Sequence, residues 1–169
     1  MGHANCKAVP GPGTYFFTVR LKQPGSDLLT RHIDLLRLSM RLCQFRHPFA
    51  IEDAVVLPDC LHTIWTQPPG DHDFTVRWHL IKSTFAQHVP GLGEERRVSA
   101  IWQRRFWEHR IDNAADLVEC QTMIRQAPVR AGLVDDPRDW PYSTSNRSRP
   151  AGASQRPGAV RLRVIDGTG

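Results

Sequence analysis

Short runs of aromatic and β-branched residues alternate along the chain with longer segments in which apolar residues recur every three or four positions. The short runs are typical of β-strands, because these side chains suit a pleated, half-buried surface. They lie at 15–21, 51–57, 61–66 and 106–111. The turn residues Pro58 and Asp59, followed by Cys60, separate the second run from the third. These two runs are therefore predicted to pair as an antiparallel hairpin in the centre of a sheet.

The longer segments, at 30–45 and 73–88, each carry an apolar face and are predicted to be helices. Asn113 can cap a third helix that reaches about Gln126, where Pro128 is expected to end it. The order strand–helix–strand–strand–helix–strand is that of the ferredoxin-like fold. We therefore predict an α+β domain, with a four-stranded antiparallel sheet, two helices on one face and an added C-terminal helix.

Composition indicates one globular domain, since 40% of the 169 residues are hydrophobic and 23% are charged. The domain is predicted to span 14–143, between a flexible lead at 1–13 and a disordered tail at 144–169 that is poor in large apolar residues. The sequence shows no apolar stretch long enough to cross a membrane and no signal peptide. The four cysteines form no CxxC pair and are typical of reduced thiols. Together these features predict a cytoplasmic protein with no membrane partner.

The formal net charge is +5, and arginine supplies most of the positive side. Because its planar fork matches phosphate, this surplus favours a nucleic-acid partner, although GC-rich coding would also raise the arginine content. The candidate phosphate contacts are Arg77, Lys82, Arg104, Arg105 and Arg130, with a solvated face as the alternative. Trp78 and Trp102 could stack on unpaired bases, but the apolar residues around them favour core packing.

Cys60 and His62 stand two residues apart in the third predicted strand and therefore point to the same face of the sheet. Such a pair could hold a soft metal ion such as zinc, which accepts thiolate and imidazole. Two ligands do not complete a site, and no third is evident, since His109 and the other histidines show no ligand spacing. The alternative is a buried thiol beside a histidine without a ligand role.

Several longer segments together resemble one protein family. They are GPGTYFFTVRL, RHIDLLR, VVLPDCLHTIWTQPPGDHDFTVRWHLIKSTF, IWQRRFWEHRI, APVRAGLV and DWPYS, in this order over roughly Pro12 to Ser143. In these segments the chain is similar to the REP-associated tyrosine transposases, a bacterial branch of the HUH single-strand transposases. The resemblance implies a protein that binds hairpin-bearing single-stranded DNA. With Mg²⁺ or Mn²⁺, such proteins nick and rejoin the DNA through a phosphotyrosine intermediate.

The resemblance also assigns chemical positions. In that family a histidine–hydrophobic–histidine motif holds the metal, a tyrosine on the C-terminal helix attacks the phosphate, and an amide one turn later completes the metal site. In this sequence the two histidine positions are occupied by Cys60 and His62, the tyrosine position by Met123 and the amide position by Ala127. Three of the four have changed, and a thioether cannot form the ester that tyrosine forms with DNA.

The sequence contains two tyrosines, Tyr15 and Tyr142, and both are expected to be structural. The chain is thus predicted to be a transposase of this family that is catalytically impaired in this copy. The alternatives are a protein that binds hairpin DNA without cutting it and a decayed remnant, either as a monomer or as a homodimer. We also expect Met123 and Ala127 to share one helix face, turned toward His62 within the chain or across a dimer.

Overall fold

The computed structural model describes residues 13–93 and 97–146. The four strands are β1 (Thr14–Arg20), β2 (Ala50–Val56), β3 (Cys60–Thr66) and β4 (Trp107–Arg110). The helices are α1 (Leu28–Arg31), α2 (Ile33–Arg46), α3 (Phe74–His88), α4 (Val98–Ile101) and α5 (Ala114–Arg130), followed by 3-10 turns at Pro137–Asp139 and Thr144–Asn146. The strands pair antiparallel in the order β2–β3–β1–β4. The predicted ferredoxin-like α+β fold is confirmed.

The predicted hairpin is present, but its central placement is wrong for one of its strands. β3 is internal because it pairs with both β2 and β1, whereas β2 is the terminal strand of the sheet. A later segment follows the outer side of β2. The Val56 N–H donates to the Tyr142 carbonyl at 2.8 Å, and Ser143 forms a β-bridge with Val55. The local sequence pattern predicts that β2 and β3 form a hairpin. Which of the two strands is internal depends on the pairing of β1, and β1 pairs with β3.

One face of the sheet, which we call the core face, is covered by α2 and α3. Its buried side chains come from alternate positions of β1 and β3 and include Phe17, Leu61 and Trp65. The Trp65 ring stacks on Trp78 of α3, with the two ring centroids 4.2 Å apart. Trp78 and Trp102 are each 1% exposed, so the interpretation of both as core residues is confirmed.

The opposite face, which we call the site face, is covered by α5. Its smaller apolar cluster joins Phe16 and Ile64 of the sheet to Leu117 and Ile124 of the helix. Adjacent positions of β1 therefore serve different layers, because successive side chains of a strand point to opposite faces. The helix added at the C-terminus gives the sheet its second covered face.

α5 runs through Pro128, so the predicted end of this helix is wrong. Asn113 caps its first turn as expected, through a side-chain oxygen that accepts a backbone N–H at 2.9 Å. The helix ends before Gly132, whose φ of +71° is readily adopted by glycine. The Gly132 N–H bonds to the Val129 carbonyl and the Leu133 N–H to the Pro128 carbonyl, which is a Schellman motif. The glycine at position 132, and not the proline at position 128, therefore terminates α5.

The predicted flexible lead and disordered tail lie mostly outside the described residues. Thr144 is described, and its hydroxyl accepts the Ala54 N–H of β2 at 2.8 Å. Hydrogen bonding to the sheet therefore reaches beyond the predicted boundary at 143. None of the helices within 13–93 and 97–146 is long and apolar enough to span a membrane.

Candidate functional site

Cys60 and His62 lie together on the site face, as their spacing in β3 predicts. The Cys60 sulfur lies 3.6 Å from His62 Nε2, and the Thr18 hydroxyl oxygen lies 2.8 Å from His62 Nδ1. Phe16 stacks on the imidazole, with ring centroids 5.9 Å apart. Both ring nitrogens thus have a partner from this chain, and the ring plane is fixed by packing.

Burial shifts the pKa values of both members of this pair. Burial, with a smaller contribution from the positive charge of Arg20, lowers the pKa of His62 to about 4. Burial raises the pKa of Cys60 to about 11, although Arg20 opposes this shift. At neutral pH the imidazole is therefore uncharged and the cysteine is a thiol. A metal ion would have to displace the thiol proton, because the thiolate is the form that binds metals.

Met123 and Ala127 share one face of α5, and this face packs on the site face of the same chain. Ala127 is 7% exposed and belongs to the apolar cluster that includes Cys60, while half-buried Met123 packs against that cluster. The expected orientation toward the sheet face that carries His62 is found within one chain. These two positions supply a thioether and a methyl group, which extend the apolar packing.

The two tyrosines lie elsewhere. Tyr15 is on the core face, where its ring packs against Phe74 with centroids 5.2 Å apart. Tyr142 lies along the outer side of β2, with its ring edge-on to Trp140 at 5.4 Å. The sheet itself separates Tyr15 from His62.

The five predicted phosphate contacts divide into buried and exposed residues. Arg77 is 1% exposed and donates to both carboxylate oxygens of Asp71, at 2.7 and 3.0 Å, and this bonding lowers the pKa of Asp71. Lys82 is also buried, donates to the Gln103 carbonyl at 2.9 Å, and has its pKa lowered to about 8 by burial. The other three, Arg104, Arg105 and Arg130, are exposed.

Two exposed side chains on the same sheet face as His62, those of Arg20 and Trp107, were missed by the sequence analysis. Thr18 of β1 pairs with His62 of β3 on one side and with Trp107 of β4 on the other, so the three share a row across the sheet. Trp107 is 54% exposed. Arg20 is exposed and pairs with Cys60. Alternation shows that Thr18 and Arg20 share a face, but strand order and register decide what lies beside them.

Three ligand-type side chains also meet where β4 leads into α5. His109 Nε2 lies 2.9 Å from Asp116 Oδ1 and 2.8 Å from Asp116 Oδ2, and the Cys120 sulfur lies 3.9 Å from Oδ1. The three ligand atoms lie within 4.8 Å of one another. The hydrogen bond from His109 lowers the pKa of Asp116, and burial raises that of Cys120 to about 11. Sequence spacing missed this cluster because it joins a strand to a helix.

Comparisons with known proteins agree on one family. The chain is 44% identical over 135 residues to the REP-associated tyrosine transposase of Escherichia coli (strain K12), across 80% of this chain and 78% of that protein. It is 33% identical over 142 residues to a relative of the same family from Haemophilus influenzae, across 80% and 81% of the two chains.

A solved structure of a REP-associated tyrosine transposase bound to a REP hairpin matches the fold with a TM-score of 0.75 and 36% identity. The match covers 94% of this chain and 96% of that one. A scan against protein-family models gives no match. The identity over four-fifths of the chain and the shared fold lead to one conclusion: the chain belongs to the REP-associated tyrosine transposase family.

Proposed function

We propose that this protein binds hairpin-bearing single-stranded DNA without cutting it. The observation that carries this proposal is the contrast on the site face. Met123 and Ala127, at the chemical positions, are part of the apolar packing, whereas the neighbouring Arg20 and Trp107 are exposed. The solved relative bound to a REP hairpin supports the choice of partner.

Exposed cations would supply the phosphate contacts. Arg20 lies on the site face beside Cys60, and Arg104 and Arg105 lie in the segment before β4. Arg104 lines a groove together with the exposed Lys22. Lys82 in the same lining is buried and donates to the Gln103 carbonyl, so it is left out of the proposed contacts. Arg130, at the end of α5, is a further contact in this proposal. Arg77 is left out of the proposed contacts because its donors are occupied within the fold.

Trp107 would supply a stacking platform for an unpaired base. Its ring is half-exposed and lies parallel to the His109 ring, with centroids 5.9 Å apart. Base–aromatic stacking contributes about 1–3 kcal/mol per base and needs no particular sequence. A single strand leaving the hairpin could therefore be held beside His62 by one stacked base and the Arg20 guanidinium.

The residues present do not fit the metal chemistry of the family. Mg²⁺ and Mn²⁺ prefer oxygen ligands, whereas Cys60 presents a soft sulfur atom next to His62 and Ala127 presents no ligand. Cleavage through a protein–DNA ester also needs an oxygen nucleophile that can attack phosphorus, and Met123 has none. We therefore derive no cleavage step for this chain. We further propose that it acts in the cytoplasm as a monomer or a homodimer.

The direct test measures binding and cleavage separately. A fluorescent single-stranded oligonucleotide that folds into a hairpin is titrated with protein, and an unstructured strand of equal length is the control. We expect tighter binding to the hairpin, weakening with salt at a log–log slope of about −0.7 per phosphate contact. Absence of binding at low salt would contradict the binding proposal.

A denaturing gel with Mg²⁺ or Mn²⁺ then tests for covalent attachment. We expect no DNA-linked band from the unmodified protein, and such a band would overturn the non-cutting half of the proposal. Restoring the family residues by Cys60→His, Ala127→Asn and Met123→Tyr should produce a trace of this band. The matched control keeps the first two changes but carries Met123→Phe, which has the size of tyrosine without its hydroxyl and should give none.

A further inference from the structure

The cluster of His109, Asp116 and Cys120 contains three different metal-ligating groups on two elements. Asp116 and Cys120 are four residues apart on α5 and share a helix face, and β4 brings His109 against them. The cluster lies apart from the Cys60–His62 pair and contains none of the family's chemical positions. In the part of the chain that the structure describes, it is the group of three or more such side chains close enough to hold an ion.

We propose that His109, Asp116 and Cys120 bind one zinc-class divalent ion. An imidazole, a carboxylate and a thiolate together form a nitrogen–oxygen–sulfur donor set, which favours a borderline ion such as Zn²⁺ over Mg²⁺ or Ca²⁺. Tetrahedral zinc holds such ligands at about 2.0–2.3 Å, which places the ligand atoms roughly 3–4 Å apart. The observed separations of 2.8 to 3.9 Å along the His109–Asp116–Cys120 chain are close to this range.

The surroundings of the cluster hold the ligands in place. The Asp116 carboxylate accepts the backbone N–H of Asp112 at 3.3 Å, and the His109 ring lies parallel to the Trp107 ring. Such contacts orient metal ligands before an ion arrives. Cys120 is 4% exposed, whereas the side chains of His109 and Asp116 are 40% and 21% exposed. An ion could therefore enter from the His109 side, where a water molecule would take the fourth position.

Binding would exchange protons for the ion. The Cys120 thiol releases its proton to solvent and the sulfur bonds to the metal. The proton that His109 Nε2 shares with the Asp116 carboxylate leaves Nε2 for Nδ1 or for solvent, and metal–ligand bonds from Nε2 and the carboxylate then replace the hydrogen bond. The consequence is mechanical. β4 is a four-residue strand at the end of the sheet, and the ion would fasten it to α5, one turn before Met123.

Cobalt provides a probe that reports on the thiolate directly. The purified chain, stripped with a chelator and kept reduced, is titrated with Co²⁺ in the absence of DNA. We expect one equivalent to produce a thiolate-to-cobalt charge-transfer band and Zn²⁺ to displace it. At least one proton, from the Cys120 thiol, should be released for each ion bound. A midpoint of thermal unfolding that rises with zinc concentration would support the same site.

Variants locate the site and separate it from the other thiols. Cys120→Ser should abolish the charge-transfer band, and His109→Gln, a change at a half-exposed side chain, should weaken zinc binding by at least about tenfold. Cys60→Ser and Cys6→Ser should leave both readouts unchanged. Circular dichroism in the absence of metal checks that each variant is folded.

Two outcomes would overturn the proposal. One is the absence of a stoichiometric band, which would leave the cluster as a hydrogen-bonded joint between β4 and α5. The other is a band that survives Cys120→Ser and disappears with Cys60→Ser or Cys6→Ser, which would place the metal elsewhere. Because DNA is absent from these measurements, their failure is distinguishable from failure of the proposed DNA binding.

Discussion

The two faces of the sheet serve different purposes. On the core face, aromatic rings stack in a closed layer, and the charge of Arg77 is used within the fold by Asp71. On the site face a single helix covers a smaller cluster, and the polar side chains of His62 and His109 remain partly exposed. The core face can thus maintain the fold while residues of the site face change. The predicted replacement of the family's tyrosine and amide by Met123 and Ala127 is compatible with an intact scaffold for this reason.

The largest expected effect contrasts a core-face residue with a site-face residue. Trp65→Ala removes a fully buried ring that stacks on Trp78, and we expect it to lower the free energy of unfolding by about 3–5 kcal/mol. Met123→Ala, at a half-buried position, should cost only about 1 kcal/mol. Urea unfolding of both variants measures the difference. Equal losses would show that the site face contributes as much to stability as the core face.

The next effect concerns pH and arises on the site face. The pKa of His62 is lowered to about 4 in the folded chain. As the pH falls, the histidine is therefore protonated near pH 6.5 in the unfolded chain but only near pH 4 in the folded chain. The contribution of His62 to the free energy of unfolding should therefore be complete above pH 6.5. The free energy of unfolding should decrease as the pH drops toward 4, by up to about 3 kcal/mol. His62→Gln should flatten this decline in unfolding experiments that include a chelator. The exposed His88, changed to Gln, is the control, and an equal flattening there would refute the assignment to His62.

The smallest expected effect concerns the affinity of the site face for hairpin DNA. Trp107→Ala should weaken binding to hairpin DNA by about 1 kcal/mol, roughly fivefold, through loss of one stacked base. Arg20→Gln should reduce the salt slope by about 0.7 because one phosphate contact is lost. Trp107→Ala should also lower the free energy of unfolding by about 1 kcal/mol, because part of its ring packs against Phe16 and His109. Arg20→Gln, at an exposed side chain, should change it by no more than about 0.5 kcal/mol. Arg37→Gln on α2 is the matched control, and an equal loss of affinity there would indicate binding by overall charge alone.

The sequence predicted element types better than element neighbours. Composition and periodicity identified four strands, the long helices and the cap at Asn113, because these signals are local. The same signals predict that α5 ends at Pro128, which is wrong because the helix ends before Gly132. They also failed for β2, whose position at the end of the sheet depends on the pairing of β1 with β3 and β4.

The sequence by itself determined the fold class and the family, since both depend on residue identity and order along the chain, and it predicts which chemical positions are altered. Tertiary structure alone decided that Arg77 is unavailable to DNA, that Arg20 and Trp107 share a sheet face with His62, and that His109 meets Asp116 and Cys120. The physical reason is that burial and ligand geometry depend on strand register and helix placement. Residues far apart in the chain fix both, through packing that no local pattern records.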